Sequence, residues 1–245
     1  MSLLEVRSVT VRFGGHTALD DVSVDVDAGS ITGLIGPNGA GKTTLFNVIC
    51  GLQPVDRGAV VLDGTELGHQ PPHARAQRGL ARTFQRLELF GSLTVLENVL
   101  VAAEIPRRRS AGPTSARDRA DEALDLVGLT HLADERAEVL STGQARLVEV
   151  ARAAVTRPRV LLADEPASGL DHHESEELAR VLRELADGGV AVLLVEHDIP
   201  LVMQTCARVC VLDYGRRLAE GRPEDVQNDP IVVEAYLGVP AGEGP

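Results

Sequence analysis

The densest chemical signal in the chain is Gly36-Pro37-Asn38-Gly39-Ala40-Gly41-Lys42-Thr43, which fits the spacing G-x-x-x-x-G-K-[ST]. Gly36, Gly39 and Gly41 let the backbone wrap closely around phosphate oxygens. A helix starting after them would offer unpaired N–H groups and a favourable dipole. Lys42 supplies a compact positive charge to the terminal phosphates, Thr43 presents a hydroxyl to Mg²⁺, and Thr44 can reach phosphate. The basic residues single out the same place, because among 24 Lys and Arg residues Lys42 is the sole lysine.

A second signal lies about 120 residues further on, where the apolar run Val160-Leu161-Leu162-Ala163 ends in Asp164-Glu165. Two adjacent acids at the carboxyl edge of a parallel sheet, beside a phosphate loop, can divide roles. Asp164 would serve the Mg²⁺ shell, and Glu165 would act as general base on an attacking water.

Both signals need elements to hold them. Residues 3–13 read as a strand closed by Gly14-Gly15, and Val22, Val24 and Val26 alternate as in a half-exposed antiparallel strand. Residues 31–35 form a short apolar strand entering the glycine-rich loop, with a helix over 41–50 leaving it. Further strands are expected at 59–63, 160–163, 190–195 and 209–212, and helices at 143–155 and 174–185. This strand–helix rhythm predicts an α/β fold with a mostly parallel sheet. Between its halves, 94–103 and 116–127 read as helices joined by an exposed loop over 107–115, a helical insertion into the core.

Bulk properties narrow the classes. The chain has 245 residues and a net charge of −12, a balance opposed to free-standing nucleic-acid binding. No apolar stretch approaches the ~20 residues of a membrane span, and the start has no secretory pattern, so a cytoplasmic location is expected. Cys50, Cys206 and Cys210 make neither a disulfide framework nor a zinc set, and are expected as buried thiols.

With these residues in place, the chain resembles ATP-binding cassette (ABC) proteins over nearly its full length. Leu140-Ser141-Thr142-Gly143-Gln144 looks like the family's LSGGQ signature, with Thr142 at a variable position. Gln85 in Arg82-Thr83-Phe84-Gln85 matches the Q-loop, Asp171 in Ser168-Gly169-Leu170-Asp171 the D-loop, and His197 the switch histidine. Phe13 stands where the family stacks an aromatic ring on adenine. The resemblance implies a P-loop ATPase core with an N-terminal antiparallel β subdomain (residues 1–85 and 158–222), a helical subdomain (86–157) and a tail (223–245), as one domain over 1–240. It implies ATP and Mg²⁺ as ligands, with Gln85 near the metal. It also implies a second cassette, identical or a sister chain, whose phosphate loop meets Ser141, Gly143 and Gln144 across the interface.

A finer likeness follows from Phe13-Gly14-Gly15, the 82–85 run, residues 93–99 and Ala235-Tyr236-Leu237-Gly238. These look like the ATP-binding subunits of branched-chain amino-acid importers. Implied partners are integral membrane permease subunits and, indirectly, a solute-binding protein, placing the chain on the inner face of the cell membrane. The alternative is an ABC ATPase acting on nucleic acid or the ribosome. Repair members of that kind insert hundreds of coiled-coil residues between phosphate loop and signature, whereas Gly36 and Leu140 here are about a hundred residues apart. Leu87, Leu89, Phe90 and Leu93 are expected either to pack the helical insertion or to line a groove for a permease helix.

Overall fold

The computed structural model describes residues 2–105 and 115–237. The loop expected over 107–115 lies outside the described residues except for Ser115, as does Gly238 of the tail motif. The strands are β1 (Ser2–Phe13), β2 (His16–Asp27), β3 (Ile31–Ile35), β4 (Arg57–Leu62), β5 (Thr65–Glu66), β6 (Leu80–Arg82), β7 (Val160–Asp164), β8 (Ala191–Val195), β9 (Arg208–Asp213) and β10 (Arg216–Gly221). The helices are α1 (Lys42–Cys50), α2 (Pro72–Gln77), α3 (Val95–Ala103), α4 (Ala116–Leu126), α5 (Thr142–Ala154), α6 (His172–Asp187), α7 (Ile199–Thr205), α8 (Pro223–Gln227) and α9 (Pro230–Leu237).

The larger sheet runs β10-β9-β3-β8-β7-β6 and is parallel except for the β10 edge. Every residue of β3, β7 and β8 is buried, as expected for strands covered on both faces. Their alternation divides the interior in two. Ile31, Leu161, Ala163, Val192 and Leu194 face one core, shared with α3, α4, α5 and α6. Leu34, Val160, Leu162, Ala191 and Leu193 face the other, shared with Phe46 and Ile49 of α1. That second core is closed by the smaller antiparallel sheet, β2-β1-β4-β5.

Several sequence-based boundaries change. The alternation at 22–26 is the end of a strand that starts at His16 and bends at bulges on its partner β1. The strand expected at 59–63 is Arg57–Leu62, because Asp63 turns out of it at φ +52°. The sequence pattern does not predict β5, β6, β10, α2, α7, α8 or α9.

Helix starts are set by side chains. Thr94/Glu97, Ser115/Asp118, Ser141/Gln144 and Asp171/Glu174 each form a reciprocal capping box at α3, α4, α5 and α6. Each box satisfies two backbone N–H groups that the helix would leave unpaired.

Candidate nucleotide site

Four strands of the parallel sheet deliver the candidate residues to one edge. β3 ends in the glycine loop, β6 runs on to Gln85, β7 ends in Asp164, and β8 runs on to His197. This carboxyl edge is where open α/β sheets bind ligands.

Two loop glycines are required by space. A Cβ on Gly36 would lie 2.1 Å from the Leu212 carbonyl oxygen, and one on Gly41 (φ +105°) 2.7 Å from that of Ala18. Asn38 and Gly39 are exposed at the loop tip. Lys42 folds back under the loop, its Nζ donating to Gly36 O at 2.5 Å and Pro37 O at 3.0 Å. Burial lowers its pKa, against the pull of Glu165 and Asp164. A buried ammonium facing an open loop is matched to phosphate oxygens. Thr43 and Thr44 lie in the first turn of α1, whose N–H groups have no intrahelical partners.

At the end of β7 the two acids are held differently. Asp164 is buried, and Arg82 Nη2 stands 2.6 Å from its Oδ2, while the Thr83 hydroxyl accepts from the Asp164 N–H at 3.2 Å. Glu165 takes the left-handed conformation at φ +48°, which costs about 1 kcal/mol or more for a residue with a Cβ. That turn aims its carboxylate away from the strand. Gln85 Nε2 donates to Oε2 at 2.7 Å, and His197 Nε2 lies 2.7 Å from Oε1.

Sequence reasoning missed the residues that brace these groups. Buried Glu196 accepts from Ala167 N at 2.7 Å and from His197 N at 3.0 Å, so it fixes the histidine's backbone; burial raises its pKa. Arg146 on α5 donates to the carbonyls of Phe84 and Gln85, at 3.0 and 2.6 Å. Glu149, one turn on, accepts from Glu88 N at 2.8 Å. The Gln85 segment thus hangs on the helix that Ser141 caps. The one sequence hint was position, since Arg82 and Glu196 adjoin recognised motif residues.

The signature residues take a separate place. Ser141 is exposed and shares its capping box with Gln144. A Cβ on Gly143 would lie 2.2 Å from Glu174 Oε1, so any side chain there would have to displace the Glu174 carboxylate. Asp171 caps α6 beside it. Among the described residues, no hydrogen bond joins Ser141, Gly143, Gln144 or Asp171 to Lys42, Asp164, Glu165 or His197. Phe13, at the end of β1, is 50% exposed, an aromatic face left in solvent.

Behind the Gln85 segment lies a groove of about 550 Å³ lined by Leu52, Pro72, His73, Phe84 and Ile105 among others. Of the two readings of 87–93, packing of the helical insertion and a groove for a permease helix, the geometry favours the first. Leu87, Leu89, Phe90 and Leu93 do not line it. Leu89 packs against the core, and Phe90 lies under the Arg152 guanidinium, 5.3 Å from ring centre, with its backbone bonded to Asn98.

Comparison with known proteins agrees with this geometry. The ABC transporter family model matches residues 19–168, and a model described as branched-chain amino acid ATP-binding cassette transporter matches 216–242. The chain is 40% identical to the high-affinity branched-chain amino acid transport ATP-binding protein BraF of Pseudomonas aeruginosa, covering 96% of this chain and 98% of that one. It is 36% identical to the lipopolysaccharide export system ATP-binding protein LptB of Haemophilus influenzae, covering 97% and 98%. A nucleotide-free ATP-binding cassette from an ABC transporter superposes with TM-score 0.88 at 33% identity, over 97% of this chain and all of that one. A dimeric cassette bound to ADP and Pi superposes with TM-score 0.78 at 28% identity, over 90% and 98%. The chain belongs to the ABC transporter family, as one of its ATP-hydrolysing ATP-binding cassettes.

Proposed function

We propose that this chain powers an importer of branched-chain or related amino acids, as one cassette of a dimer docked beneath membrane permease subunits on the inner face of the cell membrane. The observation that carries the solute class is the family match over 216–242, the β10–α9 end of the chain, joined to 40% identity with BraF. No helix among the described residues is long and apolar enough to cross a membrane. The apolar groove behind Gln85 fits a short permease helix.

The geometry supports the following roles. Lys42 and the N–H groups of the glycine loop and of Thr43 and Thr44 bind the terminal phosphates, and Phe13 stacks on adenine. Thr43, Asp164 and Gln85 offer hard oxygen donors suited to Mg²⁺. Mg²⁺ usually takes one or two protein oxygens and completes its shell with phosphate and water. When bound, Mg²⁺ neutralises charge on the β- and γ-phosphates.

Glu165 accepts the proton of the attacking water. His197 holds one carboxylate oxygen, and Gln85 holds the other until the water takes its place. Among the described residues, Ser141, Gly143 and Gln144 make no hydrogen bond to Lys42, Asp164, Glu165 or His197. They act on the partner's nucleotide, where the α5 N-terminus faces the γ-phosphate and closure excludes water. Asp171 lies on the same meeting surface.

Uptake of labelled leucine by cells with and without the gene tests the solute class. Loss of uptake on deletion, restored by the wild type and not by Lys42→Ala, is the expected result. Unchanged uptake of all branched-chain amino acids, together with a lipopolysaccharide export defect, would favour the LptB-like reading instead.

A further inference from the structure

We propose that Arg82 is a positioning residue for Mg²⁺ binding: one guanidinium fixes Asp164, at the end of β7, relative to the first turns of α1. The inference rests on the assignment of Asp164 and Thr43 to the metal, made above.

Arg82 spans the two elements with a single planar group. Nη2 reaches Asp164 Oδ2 at 2.6 Å, and Nη1 reaches Asn47 Oδ1 at 2.8 Å. Asn47 lies one turn after Thr43 on α1, so the bond fixes the helix that carries the threonine hydroxyl. The rigid fork of arginine presents a separate nitrogen to each acceptor in fixed geometry, which the single point charge of a lysine does not.

The surroundings hold the fork still. Its carbon lies 5.5 Å from the Phe46 ring centre and 5.1 Å from that of Phe84, and both members of the ion pair are over nine-tenths buried, at 8% and 9% exposure. The Nε is buried without a partner. A side chain kept only to fill space would not carry that penalty. The pairing also engages Asp164 through Oδ2. Register supports the fork from below, since Arg82 pairs with Leu162 across β6 and β7, and Thr83 N donates to Leu162 O at 2.9 Å. Asp164 is therefore held by consecutive residues of one short strand end, Arg82 at its side chain and Thr83 at its backbone N–H.

The contact differs in kind from those of Gln85 and His197. Those two touch Glu165, whose expected work is on water. Arg82 touches the metal-side carboxylate and reaches the chemistry through it. Groups that orient metal ligands in this way usually govern affinity for the metal, by about ten- to a hundredfold.

The test compares the full chain with Arg82→Lys, Arg82→Met and Asp164→Asn. The free Mg²⁺ giving half saturation is read by the quench of a fluorescent ATP analogue and, separately, by turnover. ATP binding in EDTA and thermal unfolding are measured on each protein. Both Arg82 variants are expected to need about tenfold more Mg²⁺, with binding in EDTA within about twofold of the parent. Arg82→Lys decides the matter should Arg82→Met fail to fold, since lysine keeps the charge and loses the fork. If Asp164→Asn raises the Mg²⁺ requirement and Arg82→Lys does not, the Arg82 proposal is wrong while the metal assignment stands. If Asp164→Asn leaves the requirement unchanged, the metal assignment fails and the role of Arg82 with it. An equal loss of binding in EDTA also overturns the proposal, because it places the damage in the phosphate loop.

Discussion

Nε2 of His197 lies 2.7 Å from Oε1 of Glu165, and the two residues come from the ends of adjacent strands. The contact holds one carboxylate oxygen in a fixed direction while the other faces Gln85. Replacing His197 with Ala removes that hold and leaves the phosphate loop untouched. ATP affinity measured by calorimetry should stay near the parent value. Steady-state turnover should fall by about a hundredfold or more, the usual scale for groups that set up general-base chemistry. Turnover within a few-fold of the parent would remove His197 from the mechanism.

Lys42→Ala should fail at binding. Its Nζ lies under the loop carbonyls, poised for phosphate. Losing a charged hydrogen-bond donor of this kind costs about 1.5–3 kcal/mol, roughly a ten- to a hundredfold in MgATP affinity. Lys42→Arg should not restore it, because a forked guanidinium does not fit the space of a point charge. An unchanged calorimetric affinity in Lys42→Ala would mean the loop does not bind phosphate through this residue.

How much of this was legible beforehand depends on how local the cause is. The phosphate loop could be read because its chemistry is contiguous, glycines then lysine then hydroxyl within eight residues. β3, β7 and β8 could be read because burial on both faces leaves unbroken apolar runs. β6 could not. It is three residues long, and it exists through its pairing with β7 and the turn at Gly79 (φ +99°), neither visible locally. Arg82 and Arg146 look like ordinary charged residues in sequence. Their partners, Asp164 and the Phe84 and Gln85 carbonyls, lie 82, 62 and 61 positions away. The two readings left open for 87–93 have the same origin. An apolar cluster at 87–93 shows that something is buried, but not whether the helices or a partner bury it.

The three thiols give a probe of folding. All are buried, and burial pushes Cys206 and Cys210 from the ordinary 9.0 up to about 12. The folded state therefore favours the protonated thiol. That contribution is complete below pH 9 and is lost as pH rises from there toward 12. Iodoacetamide at pH 8 should leave both residues unmodified in the native protein and label them on unfolding. The thermal midpoint should drop as pH passes 9. Rapid labelling of either cysteine in native protein would show that these sites open without global unfolding.

The groove yields a paired test. Leu52 is 56% exposed and lines it, while Leu87 is 42% exposed and does not. Charge at either exposed position should cost little stability, within about 0.5 kcal/mol. Leu52→Glu should bind ATP normally yet fail to co-purify with permease subunits, and Leu87→Glu should co-purify. Equal retention of both would move the docking surface elsewhere.

The account turns on Glu165 as the base that activates water, and Glu165→Gln examines this most directly. The amide keeps the shape of the side chain and can still meet His197, but it cannot take up the proton. Single-turnover hydrolysis of bound ATP should slow by about a hundredfold to ten-thousandfold, with ATP binding retained. Light scattering should show a stable dimer that forms only with ATP. Hydrolysis at close to the parent rate, with the variant folded and ATP bound, would contradict the assignment.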